Sequence, residues 1–274
     1  KDKAPYFKAP EGYFRMYNFI SEGISIERVP TTEELYLSAA GFGRFEKALS
    51  GYPVEKLYDS IPDFHNTLKR LEKFEVAVAA DKANRVKEVS AEIDFVRSRN
   101  VYADAVISKM ASGDIPVRVT HNDTKLNNVL IDIQGKRPVA VIDLDTVMRG
   151  SILYDFGDGV RSGTSTGAED ERDLTKVGFS KELYAAFARG FAGEAGRSMT
   201  RTEKSMLYFG AILMTYECGM RFLTDYLEGD VYFKVHRDAQ NLDRARTQFK
   251  LVEEMEKERM FMRDAAEEYA NGAR

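Results

Sequence analysis

His121-Asn122-Asp123-Thr124-Lys125-Leu126-Asn127-Asn128, followed by Ile142-Asp143-Leu144-Asp145, decides how this chain is read. It sets an aspartate, an asparagine five residues later, and a second aspartate twenty residues after the first. Phosphoryl transfer needs three such groups: a carboxylate to take the proton of an attacking hydroxyl, and two oxygen ligands to hold Mg²⁺ on the phosphates. Asp123 suits the first role, and Asn128 and Asp143 suit the other two. Mg²⁺ prefers few protein carboxylates, completed by phosphate oxygens and water, which suits one aspartate and one asparagine. Lys125, two residues past Asp123, can offset the charge of a transferred phosphoryl group.

The flanking pattern places these groups. Val117-Arg118-Val119-Thr120 reads as a strand entering the catalytic turn. Asn128-Val129-Leu130-Ile131 and Val139-Ala140-Val141-Ile142 read as two more strands, split by a turn at Gln134-Gly135. Such a hairpin delivers Asn128 at one end and Asp143 at the other. The protein-kinase catalytic loop has the same Asp-to-Asn interval, followed by a metal-binding aspartate. A surface loop with incidental acids is the plain alternative, since Asp and Asn are common turn residues. The full set between matching strand patterns favours phosphotransfer. Asp155-Phe156-Gly157 spells the kinase metal triplet but lies 32 residues past Asp123, with no apolar strand directly before it. Asp143 therefore takes the metal role. Asp155 is expected to begin or cap a helix that supports the catalytic loop, and Asp158 reads either as part of that support or as the rim of a substrate site.

Over nearly its whole length the sequence resembles the aminoglycoside phosphotransferase and choline kinase superfamily, and within it is most similar to the N-acetylhexosamine 1-kinases. The segments carrying the resemblance are 118–128, Ile142-Asp143-Leu144-Asp145-Thr146, Asp155-Phe156-Gly157-Asp158 and Glu217-Cys218-Gly219-Met220-Arg221-Phe222. The resemblance implies an ATP- and Mg²⁺-dependent kinase acting on the anomeric hydroxyl of an N-acetylhexosamine. It makes Asp123 the base, Asn128 and Asp143 the Mg²⁺ ligands, and Arg221 and Tyr232 sugar contacts. Arg221 offers several donors and Tyr232 a hydroxyl and an apolar face. Arg221 reads equally as a helical partner of Glu217 four residues earlier, and Tyr232 as a core or rim aromatic. Two alternatives stand: another hydroxylated acceptor (choline, homoserine, an aminoglycoside), or a kinase-like binding module without catalysis.

Such kinases carry an N-terminal lobe with a glycine-rich loop and a phosphate-gripping lysine. Residues 1–12 show no glycine cluster. Residues 13–20 read as the last strand of that lobe running into the interlobe hinge, with Asn18, Phe19 and Ile20 meeting adenine through their backbone. The expected division is a remnant of the nucleotide-binding lobe over 1–22 and a helical catalytic and substrate-binding lobe over 23–274. The chain reads as the C-terminal portion of a longer kinase, expected to bind ATP weakly and to turn over little by itself.

Composition fits a soluble cytoplasmic enzyme. The 274 residues carry 40 basic and 44 acidic side chains, a net charge of −4, unlike the basic face of a general nucleic-acid binder. A single cysteine, Cys218, excludes an internal disulfide and reads as buried filler. No apolar run of about 18 residues is present, which argues against a transmembrane helix. Oligomeric state is not legible.

The fold class is α+β, mostly helical: a kinase-like C-terminal lobe with a small catalytic β-hairpin. Thr31 with Glu34, and Thr200 with Glu203, form capping boxes at two helix starts. Helices are predicted over 68–80, 82–99, 102–110 and 241–269, after Ser180, and from Thr200 to about Tyr226. His65, in a loop, either touches substrate or makes a structural hydrogen bond. The Gly-, Ser- and Asp-rich stretch 150–167 reads as a long loop facing the acceptor site.

Overall fold

The computed structural model describes residues 6–27, 30–134 and 136–272; residues 1–5 and the Gly135 of the expected turn lie outside them. Strand β1 (Phe7–Ala9) pairs antiparallel with β2 (Gly12–Phe14). The strand expected over 13–20 ends at Phe14, and the next residues carry no regular structure. At Ile24 the chain exchanges two backbone hydrogen bonds with Ile131, at 3.1 and 3.0 Å.

Helix α1 (Thr32–Leu49) starts at the expected capping box, in which Thr31 and Glu34 satisfy each other's backbone N–H. Helices α2 (Thr67–Ala80), α3 (Ser90–Ser98) and α4 (Ile107–Ser112) follow. The single helix expected over 82–99 does not form. Asp81 turns left-handed at φ 39° and its carboxylate accepts the N–H groups of Arg85 (2.8 Å) and Val86 (3.0 Å). That local bonding competes with a continuous helix, and α3 starts only at Ser90. The helix expected over 102–110 is likewise replaced by short turns and α4, closed by a left-handed Gly113.

Four short strands then frame the candidate residues Asp123, Asn128 and Asp143: β3 (Arg118–Thr120), β4 (Val129–Asp132), β5 (Arg137–Val141) and β6 (Met148–Gly150). β4 pairs with β5 and β3 with β6, both antiparallel. Asn128 ends a 3-10 turn over Leu126–Asn128 instead of opening the strand.

The stretch 150–167, expected as a loop, is mostly helix α5 (Ile152–Thr164), buried along nearly its whole length. Its Gly157 serves close packing against helix α7 (Arg201–Glu228), which follows α6 (Lys181–Ala195). A Cβ on Gly157 would sit 2.2 Å from the Gly210 carbonyl oxygen, and one on Gly210 would sit 2.4 Å from that of Leu153. Only paired glycines let the two backbones approach so closely.

Helix α7 is the centre of the helical body. It opens with the predicted Thr200–Glu203 capping box. α2, α5, α8 (Gln240–Lys257) and α9 (Arg259–Asn271) pack on it, while α1 lies on α6. The helix expected over 241–269 is thus two, broken at Glu258. The apolar core runs through Phe42, Phe156, Phe187, Phe191, Leu213, Tyr216 and Leu251. Among the described residues no helix is long and apolar enough to cross a membrane.

Candidate active site

The loop after β3 is fixed from three sides. From α5, the buried Asp155 carboxylate accepts the backbone N–H groups of His121 and Asn122, both at 2.7 Å. The Thr124 hydroxyl donates to the Asp155 carbonyl at 2.6 Å. The expected supporting role of Asp155 is therefore explicit, from the first turn of α5. From the hairpin side, His121 bonds the Ile142 carbonyl through Nε2 at 2.9 Å, while Nδ1 lies 3.3 Å from the Asp123 N–H. The tautomer protonated on Nε2 satisfies both contacts. Asn122 holds φ 65°, tolerable for asparagine, and its side chain donates to the Thr146 carbonyl at 2.9 Å.

The third side was not legible in sequence. His65 bonds the Glu217 carboxylate through Nδ1 (2.9 Å) and the Asn122 carbonyl through Nε2 (3.0 Å), with all three residues buried. Both ring nitrogens face acceptors, so the imidazolium fits best. Burial pushes His65 down, and the bond and charge of Glu217 more than reverse it, leaving its pKa raised. Burial pushes Glu217 up, and His65 in turn holds it below its ordinary value. The structural reading of His65 is thus the one its contacts support, although the ring also borders the cavity described next.

This pair sets a pH window. The His65 contribution is complete below the ordinary value of 6.5 and is lost as pH rises through the raised folded value. The Glu217 contribution is complete above 4.5 and is lost as pH falls through the depressed folded value. His65→Ala leaves a buried charge unpaired and is expected to cost about 3–5 kcal/mol. Urea unfolding across pH should show the largest gap from wild type between 4.5 and 6.5, closing on either side.

Asp123 leaves this braced loop with its carboxylate 2.8 Å from Lys125 Nζ. Burial lowers the Lys125 pKa, and the bond and charge of Asp123 outweigh that, so the ammonium is retained. The Asn128 amide donates to the Asp123 carbonyl at 2.8 Å and to its carboxylate at 3.2 Å. Those bonds occupy the NH₂ group and leave the amide oxygen as a donor atom for a hard cation. Asp143 is exposed, with φ 58°, at the far end of the hairpin. It is registered to Asn128 by the bond from the Ile142 N–H to the Asn128 carbonyl, 2.9 Å.

Asp123 and Lys125 open into a cavity of about 540 Å³, which also reaches Asp158, Arg161, Arg221, Tyr232 and Phe233. The two residues singled out as sugar contacts therefore border the same space as Asp123. Arg221 makes no ion pair with Glu217, whose carboxylate is taken by His65 and by Thr67 at 2.5 Å. Its guanidinium lies instead between the rings of Phe64 and Phe233, at 5.6 and 5.5 Å. Tyr232 is largely exposed, with its N–H bonded to Asp225 at 2.8 Å. Cys218 borders the cavity with its thiol pushed up to about 11 by burial, unsuited to act as a thiolate nucleophile. Asn18 and Phe19 are exposed and Ile20 half-buried, and none of the three lines this cavity.

Similar folds occur in solved structures. An aminoglycoside phosphotransferase from Alicyclobacillus acidocaldarius aligns over 98% of this chain and 75% of its own, at TM-score 0.62 and 13% identity. A choline kinase from Cryptosporidium parvum aligns over 92% and 73%, at TM-score 0.52 and 13% identity. An aminoglycoside phosphotransferase solved with ADP bound aligns over 91% and 75%, at TM-score 0.50 and 13% identity. At such identities the likeness shows the fold alone. The family itself follows from the sequence: residues 22–198, which contain the loop after β3, the hairpin and Asp155, match the model of the phosphotransferase enzyme family, and the chain belongs to that family.

Proposed function

We propose that the chain transfers the γ-phosphoryl group of ATP to a neutral hydroxylated small molecule, the anomeric hydroxyl of an N-acetylhexosamine being the acceptor. The observation that carries this reading is the shared cavity of Asp123, Lys125, Arg221 and Tyr232. Each of its carboxylates has a cationic neighbour: Asp123 has Lys125, Asp158 has Arg161 on one oxygen, Glu217 has His65, and Glu169 has Arg161 and Arg244 at 3.6 Å. A cationic acceptor would meet paired acids and the Arg221 guanidinium, whereas cation sites favour unpaired acids or an aromatic cage. Hydroxyl and acetamido groups can accept from Arg221 and stack on Tyr232.

Asp123 would orient the acceptor hydroxyl and take its proton, with Lys125 moderating charge beside it. Asn128 and Asp143 offer an amide and a carboxylate oxygen, hard donors that fit Mg²⁺. When bound, the ion would neutralise phosphate charge. Positioning of the hydroxyl supplies much of the remaining rate. Asp143→Ala is expected to raise the Mg²⁺ concentration for half-maximal activity about 10–100-fold, read from rate against Mg²⁺ at fixed ATP.

The test of the whole reading is ³¹P NMR of the protein with Mg-ATP and N-acetylglucosamine or N-acetylgalactosamine. A new anomeric phosphate is the expected result. Phosphorylation of choline or another acceptor, with neither sugar modified, would keep the chemistry and overturn the acceptor.

A further inference from the structure

Among the other carboxylates of the cavity that holds Asp123, Asp158 has no part in the transfer itself. Asp158 lies one helical turn after Asp155 on α5 and is 6% exposed. Its Oδ1 accepts from Arg161, Nε at 2.9 Å and Nη2 at 2.8 Å. Its Oδ2 is buried with no hydrogen-bond partner among the described residues. Leaving a buried acceptor unmatched is costly, so this oxygen suits a donor that the chain does not supply.

A smaller cavity of about 130 Å³ adjoins the first, and Lys125, Arg161 and Glu169 line both. It also reaches Ser162, Ser165 and Gln248. Gln248, on α8, is 3% exposed, and its Oε1 is likewise buried without a partner among the described residues. Two residues that each carry an unmatched oxygen, from two helices, thus line neighbouring cavities that have Arg161 in common.

We propose that Asp158 and Gln248, with Arg161 between them, form an acceptor-recognition subsite for a polyhydroxylated ligand, one bringing at least two hydrogen-bond donors besides the hydroxyl that reacts. A hydroxyl donates to a carboxylate and accepts from a guanidinium at once, so a sugar ring can satisfy all three side chains. A quaternary ammonium with one hydroxyl brings a donor to neither oxygen. The subsite deepens the phosphotransfer reading and rests on Asp123 being the base. Asp158 and Gln248 would set specificity, not chemistry.

The experiment compares N-acetylhexosamines with their monodeoxy analogues in wild type, Asp158→Asn and Gln248→Met. Binding is read by saturation-transfer NMR, which needs no turnover, and kcat and KM are read where turnover occurs. Wild type is expected to bind at least one deoxy analogue about 10–100-fold more weakly than its parent, the fold-change of one charged hydrogen bond. Asp158→Asn should erase most of that difference and raise the acceptor KM. Gln248→Met should do the same for a different hydroxyl, and it stands as the second probe if Asp158→Asn folds poorly. Equal binding of all analogues by wild type, or full discrimination retained in both variants, overturns the subsite and leaves these oxygens to water. Tightest binding of a single-hydroxyl quaternary ammonium overturns it as well. Sugar binding with discrimination but no transfer supports the subsite and fails the kinase reading, so the two failures are distinguishable.

Discussion

Asp123→Asn is expected to lower kcat about 10²–10⁴-fold, the usual contribution of a positioned general base, while leaving the protein folded. Asparagine keeps the shape and an acceptor oxygen for the Asn128 amide, which sits 3.2 Å from the carboxylate and 2.8 Å from the backbone carbonyl. What it loses is the ability to take a proton. Lys125 also loses its partner, but the Lys125 side chain is 49% exposed, and such pairs contribute only about 0–1 kcal/mol. The variant should therefore unfold near the wild-type urea midpoint while ³¹P NMR shows product accumulating orders of magnitude more slowly. Near-normal turnover would remove Asp123 from the role of base and, with it, the argument built on its spacing to Asn128.

That spacing is readable because the three candidate residues sit on one short local unit. The β3 strand, the loop and the β4–β5 hairpin follow one another in 118–141, so interval alone picks out Asp123, Asn128 and, just past β5, Asp143 as candidates without tertiary information. Both capping boxes were legible for the same reason: each is a four-residue pattern satisfied by its own backbone. Helix α5 was not, because glycine at 157 and 159 signals a loop unless one knows that α7 and Phe187 approach there. Pairs such as His65 with Glu217, 152 residues apart, have no local signature. Glu203 shows both cases in one residue. Its capping of α7 is readable three residues from Thr200, yet its bond to Arg118 at 2.6 Å, which ties β3 to the start of α7, is not.

The Asp155 carboxylate joins the legible and the hidden halves, and Asp155→Ala should have the largest effect on stability. Its two oxygens accept two buried backbone N–H groups, at 2.7 Å each. Hydrogen bonds to charged groups contribute about 1.5–3 kcal/mol each, so losing both should cost about 3–6 kcal/mol. Glu46 adds to this. It is fully buried on α1, and burial, then the charge of Asp155, then a hydrogen bond to Asp155 raise its pKa well above the ordinary value. A neutral Glu46 donating to Asp155 is stable at low pH, and its contribution is lost as pH rises above the unfolded carboxylate value. Asp155→Ala removes the acceptor of that proton, so the loss should be greatest on the acid side, where wild type gains most from the pair. Urea unfolding at pH 5 and pH 8 reads this directly. Because the same bonds hold His121 and Asn122, kcat should fall along with stability, and Asp155→Asn, which keeps one acceptor, should lie between the two. A loss under about 1 kcal/mol at both pH values would mean that water replaces the carboxylate, and that His65, His121 and Thr146 suffice to hold Asp123 in place.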